Sequence, residues 1–380
     1  MTGSNLVTAW GTAPPVGPSP PLSPRLRGCL IPARVPPLAR PAAARSNGLM
    51  DQVRWGIIGC GDVTEVKSGP ALQKATGSAL VAVMRRDAGK AADYARRHGV
   101  PRWYADARQL VDDPAVNAVY VATPPASHEQ YALLAAAAGK AVYVEKPMSV
   151  DAASCRRMID ACAAAGVPLF VAYYRRCLPR FVQVKRWIDD GAVGAVRAVT
   201  VAHHRPPGGS EADASAWRVD PAVAGGGVFV DLASHTLDLL DHLLGPIASA
   251  SGAAVNLAGL YRPEDTVAAH FTFAGGAVGS GLWCFCTGGE RDEVSIVGDA
   301  GRITFATLAE HPVVLERVGR EVERLSVPHP PHVQQPLIQT VVDALRGTGA
   351  CPSTGSSAMR TNEVIDAILS GYRQASSMQQ

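Results

Sequence analysis

Short apolar runs alternate with longer amphipathic or alanine-rich stretches through the first half of the chain. Residues 54–58 (Arg-Trp-Gly-Ile-Ile), 80–84 (Leu-Val-Ala-Val-Met), 118–122 (Ala-Val-Tyr-Val-Ala), 141–144 (Ala-Val-Tyr-Val) and 169–173 (Leu-Phe-Val-Ala-Tyr) are near-continuous apolar runs of strand length. Such runs predict strands buried on both faces. Between them, 88–98, 127–138 and 151–165 predict helices. Gly99 and Gly139 stand just past the first two, where a C-terminal glycine belongs. Strand–helix alternation of this kind implies an α/β fold with a doubly wound parallel sheet.

Beyond about residue 179 the rhythm changes. A helix is predicted over 181–190 and another over 230–244, with strand-like alternation at 196–203. Strands follow at 267–273, 277–286, 292–297 and 302–305, separated by glycine turns. Consecutive strands with short turns predict an antiparallel sheet. Helices near 334–345 and 357–373 close the chain. The expected organisation is a dinucleotide-binding domain over 50–175 and a second domain over 176–380, with the 230–244 helix facing the cleft between them.

Residues 1–49 differ from this pattern. They hold ten prolines, five arginines, no lysine and no acid. Proline at that density propagates neither helix nor sheet. The segment is expected to be a disordered tail or an extension ahead of a true start at Met50. Net charge is +3 on 380 residues with scattered basic groups, which argues against a nucleic-acid surface. No apolar run approaches the roughly 20 residues of a membrane span. Eight cysteines lack paired C-x-x-C spacing, which fits a reducing cytoplasm. Cys284 and Cys286 fall on one strand face, and buried small hydrophobes are the plainer reading. No metal site is expected.

Four stretches suggest chemistry. Gly59-x-Gly61-x-x-Thr64 joins a strand to a helix, so that Gly59 permits the tight turn and Gly61, with Asp62 and Val63 after it, lets a pyrophosphate approach the backbone. The next strand ends in Arg85, Arg86 and Asp87. The arginines suit a 2′-phosphate and favour NADP(H); Asp87 keeps NAD(H) open. Thr123-Pro124-Pro125-x-x-His128 sits at a strand's C-terminal end, where such sheets bind ligands; His128 is expected either to cap the next helix or to touch cofactor. Glu145-Lys146-Pro147 follows strand 141–144, and its lysine should point into the crevice beside the nicotinamide, usable in proton transfer. Downstream of Gly225-Gly226-Gly227, Asp231 and His235 share a helix face, so the acid is expected to orient the imidazole. Trp217 and Arg218 could wall the site.

These motifs, with Tyr173-Tyr174-Arg175-Arg176 and Asp238, resemble the Gfo/Idh/MocA oxidoreductases over about residues 52–375. The resemblance implies a Rossmann domain followed by an α/β domain with an open, mainly antiparallel sheet. That sheet would form homodimers or homotetramers. It implies Lys146, Asp231 and His235 as the catalytic group. Arg175 is expected at the cofactor or substrate, and Tyr173, Arg176 and Trp217 at the substrate. Thr64 and Pro125 depart from the family pattern. The expected activity is hydride transfer between NAD(P) and a hydroxyl or carbonyl of a sugar, cyclitol or small polyol, with His235 taking the hydroxyl proton. The alternatives are a redox-neutral NAD-dependent glycosidase, an aldehyde, dihydrodiol or bilin-type reductase, and a non-enzymatic dinucleotide sensor.

Overall fold

A computed structural model describes residues 50–377 apart from 209–212 and 214; the expectations for 1–49 lie outside the described residues. Six strands make a wholly parallel sheet: β1 (Val53–Ile58), β2 (Ser78–Met84), β3 (Arg102–Tyr104), β4 (Ala118–Val121), β5 (Ala141–Val144) and β6 (Leu169–Val171). Their order is β3-β2-β1-β4-β5-β6, which is the doubly wound dinucleotide-binding order. Helices α1 (Asp62–Val66), α2 (Gly69–Lys74), α3 (Ala88–His98), α4 (Ala107–Asp112), α5 (His128–Ala137) and α6 (Ala152–Ala165) connect them. Every residue of β4 and β5 is buried, as apolar runs covered by helices on both faces should be. Both strands read Ala-Val-Tyr-Val, and Tyr120 stacks on Tyr143 with centroids 4.9 Å apart. The strand order reverses between β1 and β4, so their C-terminal ends frame the crevice where such sheets take ligands.

The second part begins with α7 (Pro179–Asp189) and β7 (Val196–His204), followed by α8 (Pro221–Ala224) and α9 (Val228–Leu244). Seven more strands complete an eight-stranded sheet: β8 (Ile247–Val255), β9 (Thr266–Phe273), β10 (Val278–Cys284), β11 (Arg291–Gly298), β12 (Gly301–Phe305), β13 (Val313–Arg317) and β14 (Glu323–Leu325). Its order is β14-β13-β12-β11-β7-β10-β9-β8. Neighbours are antiparallel except β7 and β10, which run parallel. Along β9 and β10 burial alternates residue by residue, so one face is a core and the other is open. On the core face Phe229 of α9 meets Trp283 of β10 edge-on at 5.2 Å, and both rings are buried. Helices α10 (Gln335–Leu345) and α11 (Gly355–Ser377) return to the parallel sheet, where Ser353 Oγ donates to the Val171 carbonyl at 2.7 Å.

Among the described residues, no helix is long and apolar enough to cross a membrane, and no group of three or more His, Cys, Asp or Glu side chains is placed to hold a metal ion. The Cys284 and Cys286 sulfurs lie 3.6 Å apart as free thiols, both near Thr266.

Candidate active site

The crevice is a cavity of about 820 Å³, at the upper end of what small-molecule sites enclose. One end is built by the β1–α1 turn. Gly59 has φ +91°, and a side chain there would strike Thr123 and the Ala122 carbonyl. Around Gly61 the space is open, so backbone and ligand can come together there. The first turn of α1 has no side-chain cap, which leaves its amides toward the cavity end lined by Gly61, Asp62 and Val63. Thr64, the departure from the usual small residue, is accommodated by hydrogen bonding: its hydroxyl donates to the Gly61 carbonyl at 2.7 Å, and its own carbonyl accepts from Tyr94. Arg85 and Arg86 line the same end. Asp87 caps α3, where its carboxylate accepts the Lys90 amide at 3.0 Å.

The other end holds Lys146, Asp231 and His235. Lys146 closes β5, and its main chain is fixed by Glu145. That buried carboxylate accepts from the Lys146 amide at 3.1 Å, from Gln334 Nε2 at 2.6 Å and from the Tyr120 hydroxyl. Lys146 Nζ donates to the Asp231 carboxylate and, at 3.1 Å, to the Asp231 carbonyl. This corrects one expectation. Asp231 pairs with Lys146, which comes from the other sheet, and does not orient His235. The partner of His235 is Arg175, whose Nη1 lies 2.9 Å from the histidine Nδ1. Withdrawal from water pushes the Asp231 carboxyl up, but Lys146, with Arg218 and Lys67 beyond it, outweighs this and holds it below its ordinary value. Burial, then the charges of Arg175, Lys146 and Lys67, drive His235 well below the ordinary histidine range, so the imidazole is uncharged at neutral pH.

Three other expected contacts fall away from the cavity. Tyr173 is completely buried under the Arg176 guanidinium, and its neighbour Tyr174 lines the site instead. Arg176 is spent on Asp238, through contacts of 2.9 Å and 2.5 Å, and on the chain before α11. His128 is buried, with its ring nitrogens 2.6 Å from the Thr123 carbonyl and 3.2 Å from those of Pro147 and Met148. It braces two loops of the cavity wall against each other and neither caps a helix nor lines the cavity. Thr123, Pro124, Glu145, Arg175 and Trp217 all line the cavity, and Arg218 lies over the Trp217 ring at 4.5 Å. Sequence reasoning missed Lys67, Tyr174, Leu308 and Gln334, which also line it. Gln334 had no local signal, since its partners Glu145 and Tyr143 are nearly 200 residues away.

Comparison with known proteins accords with this geometry. The oxidoreductase family with an NAD-binding Rossmann fold matches residues 53–173, and the GFO/IDH/MocA C-terminal domain matches residues 181–304. Oxidoreductase P35 of Formosa agariphila is 35% identical over 317 residues, spanning 83% of this chain and 98% of that protein. The chain belongs to the Gfo/Idh/MocA oxidoreductase family. A 1,5-anhydro-D-fructose reductase from Ensifer adhaerens is 28% identical over 80% of this chain and 91% of its own. The WlbA dehydrogenase from Bordetella pertussis, solved with NADH and UDP-GlcNAcA, superposes with a TM-score of 0.75 at 26% identity, covering 86% of this chain and 97% of that one. The protein is therefore an enzyme of the dehydrogenase and reductase type, and its two sheets are those of its family.

Proposed function

We propose that the enzyme transfers hydride between a nicotinamide dinucleotide and a hydroxyl or carbonyl carbon of a sugar, cyclitol or related small polyol. The observation behind this reading is convergence: Lys146 from β5 and His235 from α9 line one cavity with the glycine turn of β1. The residues present fit the dinucleotide. Gly59, Gly61, Asp62 and Val63 would hold its pyrophosphate, Thr123, Pro124 and Glu145 would flank its nicotinamide half, and Arg85 and Arg86 favour NADP(H). Asp87 lines the same end, and with one carboxylate oxygen capping α3 the other keeps a ribose contact of the NAD(H) type open. When bound, the nicotinamide supplies or removes the hydride.

The chain's own groups manage the oxygen. Lys146 and His235 reach it together, and Lys146 stabilises charge as it develops there. Asp231 holds the ammonium in place. Trp217, with Arg218 stacked on it, forms a wall for the substrate.

The test is a panel of sugars, polyols and their carbonyl counterparts against NAD(H) and NADP(H), followed at the nicotinamide absorbance. With a substrate found, Lys146→Ala should lower turnover by about 10²–10⁴ and leave dinucleotide binding nearly intact. Near-normal turnover of Lys146→Ala would sink the reading.

A further inference from the structure

Arg175 lies beside the reacting groups, and its chemistry restricts theirs. A guanidinium has five N–H donors and no acceptor, and it does not deprotonate in a protein. Its Nη1 is 2.9 Å from His235 Nδ1, so Nδ1 must offer its lone pair. An uncharged imidazole with a lone pair on Nδ1 carries its proton on Nε2. Arg175 has little freedom to leave. Its Nε donates to the Thr307 carbonyl at 2.9 Å, and its guanidinium lies over the Tyr174 ring at 5.0 Å. The loop that supplies Thr307 is itself pinned. Asp292 accepts the amides of Thr307, Leu308 and Ala309 at 2.9, 2.6 and 2.8 Å, while Arg180 donates to the carbonyls of Ala306, Ala309 and His311.

Among the described residues, the other groups facing His235 do not offer its ring an acceptor. Tyr174 presents its ring edge-on at 5.5 Å, and Lys146 and Lys67 bring positive charge. Asp231, one turn earlier on α9, is taken up by Lys146. Lys146 in turn directs two N–H bonds at Asp231, and an ammonium has three. One N–H therefore remains for the substrate.

We propose that Arg175 is a positioning residue that locks His235 as a hydrogen-bond donor, so that the resting site presents two donors, Lys146 Nζ–H and His235 Nε2–H, and takes a carbonyl compound as its matching ligand. This rests on the functional reading above and sets its direction. In reduction, carbon gains the hydride with its two electrons, oxygen gains the proton of the Lys146 ammonium, and the resulting amine is reprotonated from water. Oxidation of the alcohol must first remove that Lys146 proton.

Net oxidation releases one proton, so the ratio of the oxidative to the reductive kcat/KM rises about tenfold per pH unit under any mechanism; the limb that bears the slope reports the resting protonation of the site. Two donors predict a reductive kcat/KM that is flat between about pH 6 and 8 and an oxidative one that climbs about tenfold per unit. A flat oxidative limb with a falling reductive limb would overturn the proposal. Independently of any substrate, nitrogen-15 histidine spectra of the full chain with NADP or NAD present, assigned against His235→Asn, should show protonated Nε2 and bare Nδ1. A protonated Nδ1 in the unaltered protein would also overturn it. Arg175→Met should give mixed tautomers and move the slope toward the reductive limb, whereas Arg175→Lys, still a donor, should restore both readouts. If no compound of the panel turns over, the functional reading fails, and the spectra alone decide the role of Arg175.

Discussion

At the residue scale the cavity end beside the glycine turn is a matter of two arginines and one aspartate. Arg85 and Arg86 follow β2, and Arg85 Nη1 donates to the Cys60 carbonyl at 3.3 Å, which keeps it beside the glycine turn. Asp87 lines the same end, with one carboxylate oxygen capping α3 through the Lys90 amide. A dianionic 2′-phosphate would thus meet guanidinium groups, with the nearest carboxylate bound to a helix end. Charge-assisted bonds contribute about 1.5–3 kcal/mol each, so the doubly substituted Arg85→Ala, Arg86→Ala protein should bind NADP at least tenfold more weakly and NAD nearly as before. Titration of both dinucleotides by protein fluorescence measures this. Equal weakening of both, or an initial preference for NAD, would remove the arginines from the argument. At the other end of the cavity the same scale explains one misplaced expectation. Spacing i,i+4 brings Asp231 and His235 onto one helix face, but a carboxylate binds the strongest cation in reach, and Lys146 arrives from 85 residues away.

At the element scale the placement of Asp231 and His235 in the cavity depends on where α9 lies. Its N-terminal turn carries Asp231, its second turn His235, and between the glycines and Asp231 stands Phe229, which fixes the helix against Trp283 of β10. Phe229→Ala should cost about 3–5 kcal/mol of stability; a urea midpoint unchanged from the parent would show that the helix is anchored otherwise. Turnover should fall as well, because the loss lies two residues from Asp231. Elements of this kind were legible in the sequence because their signals are local. The runs 118–122 and 141–144, the helix at 88–98 and the glycine turn all read correctly from neighbours in the chain. Short or mixed elements were not. The three-residue β3 and β14 are below the length at which alternation can be recognised, and β8, Ile-Ala-Ser-Ala-Ser-Gly-Ala-Ala-Val, owes its place to pairing with β9 rather than to its own composition. Nor does sequence periodicity reveal that β7 and β10 run parallel inside an otherwise antiparallel sheet, since that follows from which strand is inserted between which. For the site, Gly59, Gly61, Lys146, Asp231 and His235 stood out as motifs, whereas the Arg175–His235 contact joins elements 60 residues apart and had no local trace.

At the scale of the whole molecule, buried ionisable groups make stability depend on pH, and they do so in opposite senses. Burial, with Arg176 and Lys185 nearby, pushes His242 down to about 4. The unfolded chain therefore takes up a proton below about pH 6.5 that the folded protein refuses, so this histidine's contribution is present above that pH and is lost as pH falls toward 4. Glu264 works the other way. It is 2% exposed, and its carboxyl accepts the Gly227 amide, 3.3 Å away at the start of α9. Burial pushes its carboxyl up to about 6. A carboxyl raised in the folded state favours folding while it is protonated, below about pH 4.5, and loses that advantage as pH rises through 6. Glu264→Gln keeps an acceptor for the Gly227 amide and removes the charge. The variant should be more stable than its parent by about 2 kcal/mol above pH 7, with the gap closing as pH falls through 6 and nearly gone by about 4.5. Urea denaturation of both proteins across pH 4–8 measures the difference. A gap that stayed constant with pH, or that opened on the acid side, would mean that burial does not raise the Glu264 carboxyl in the folded protein and that the glycine loop at the start of α9 holds a carboxylate as readily as a neutral acid.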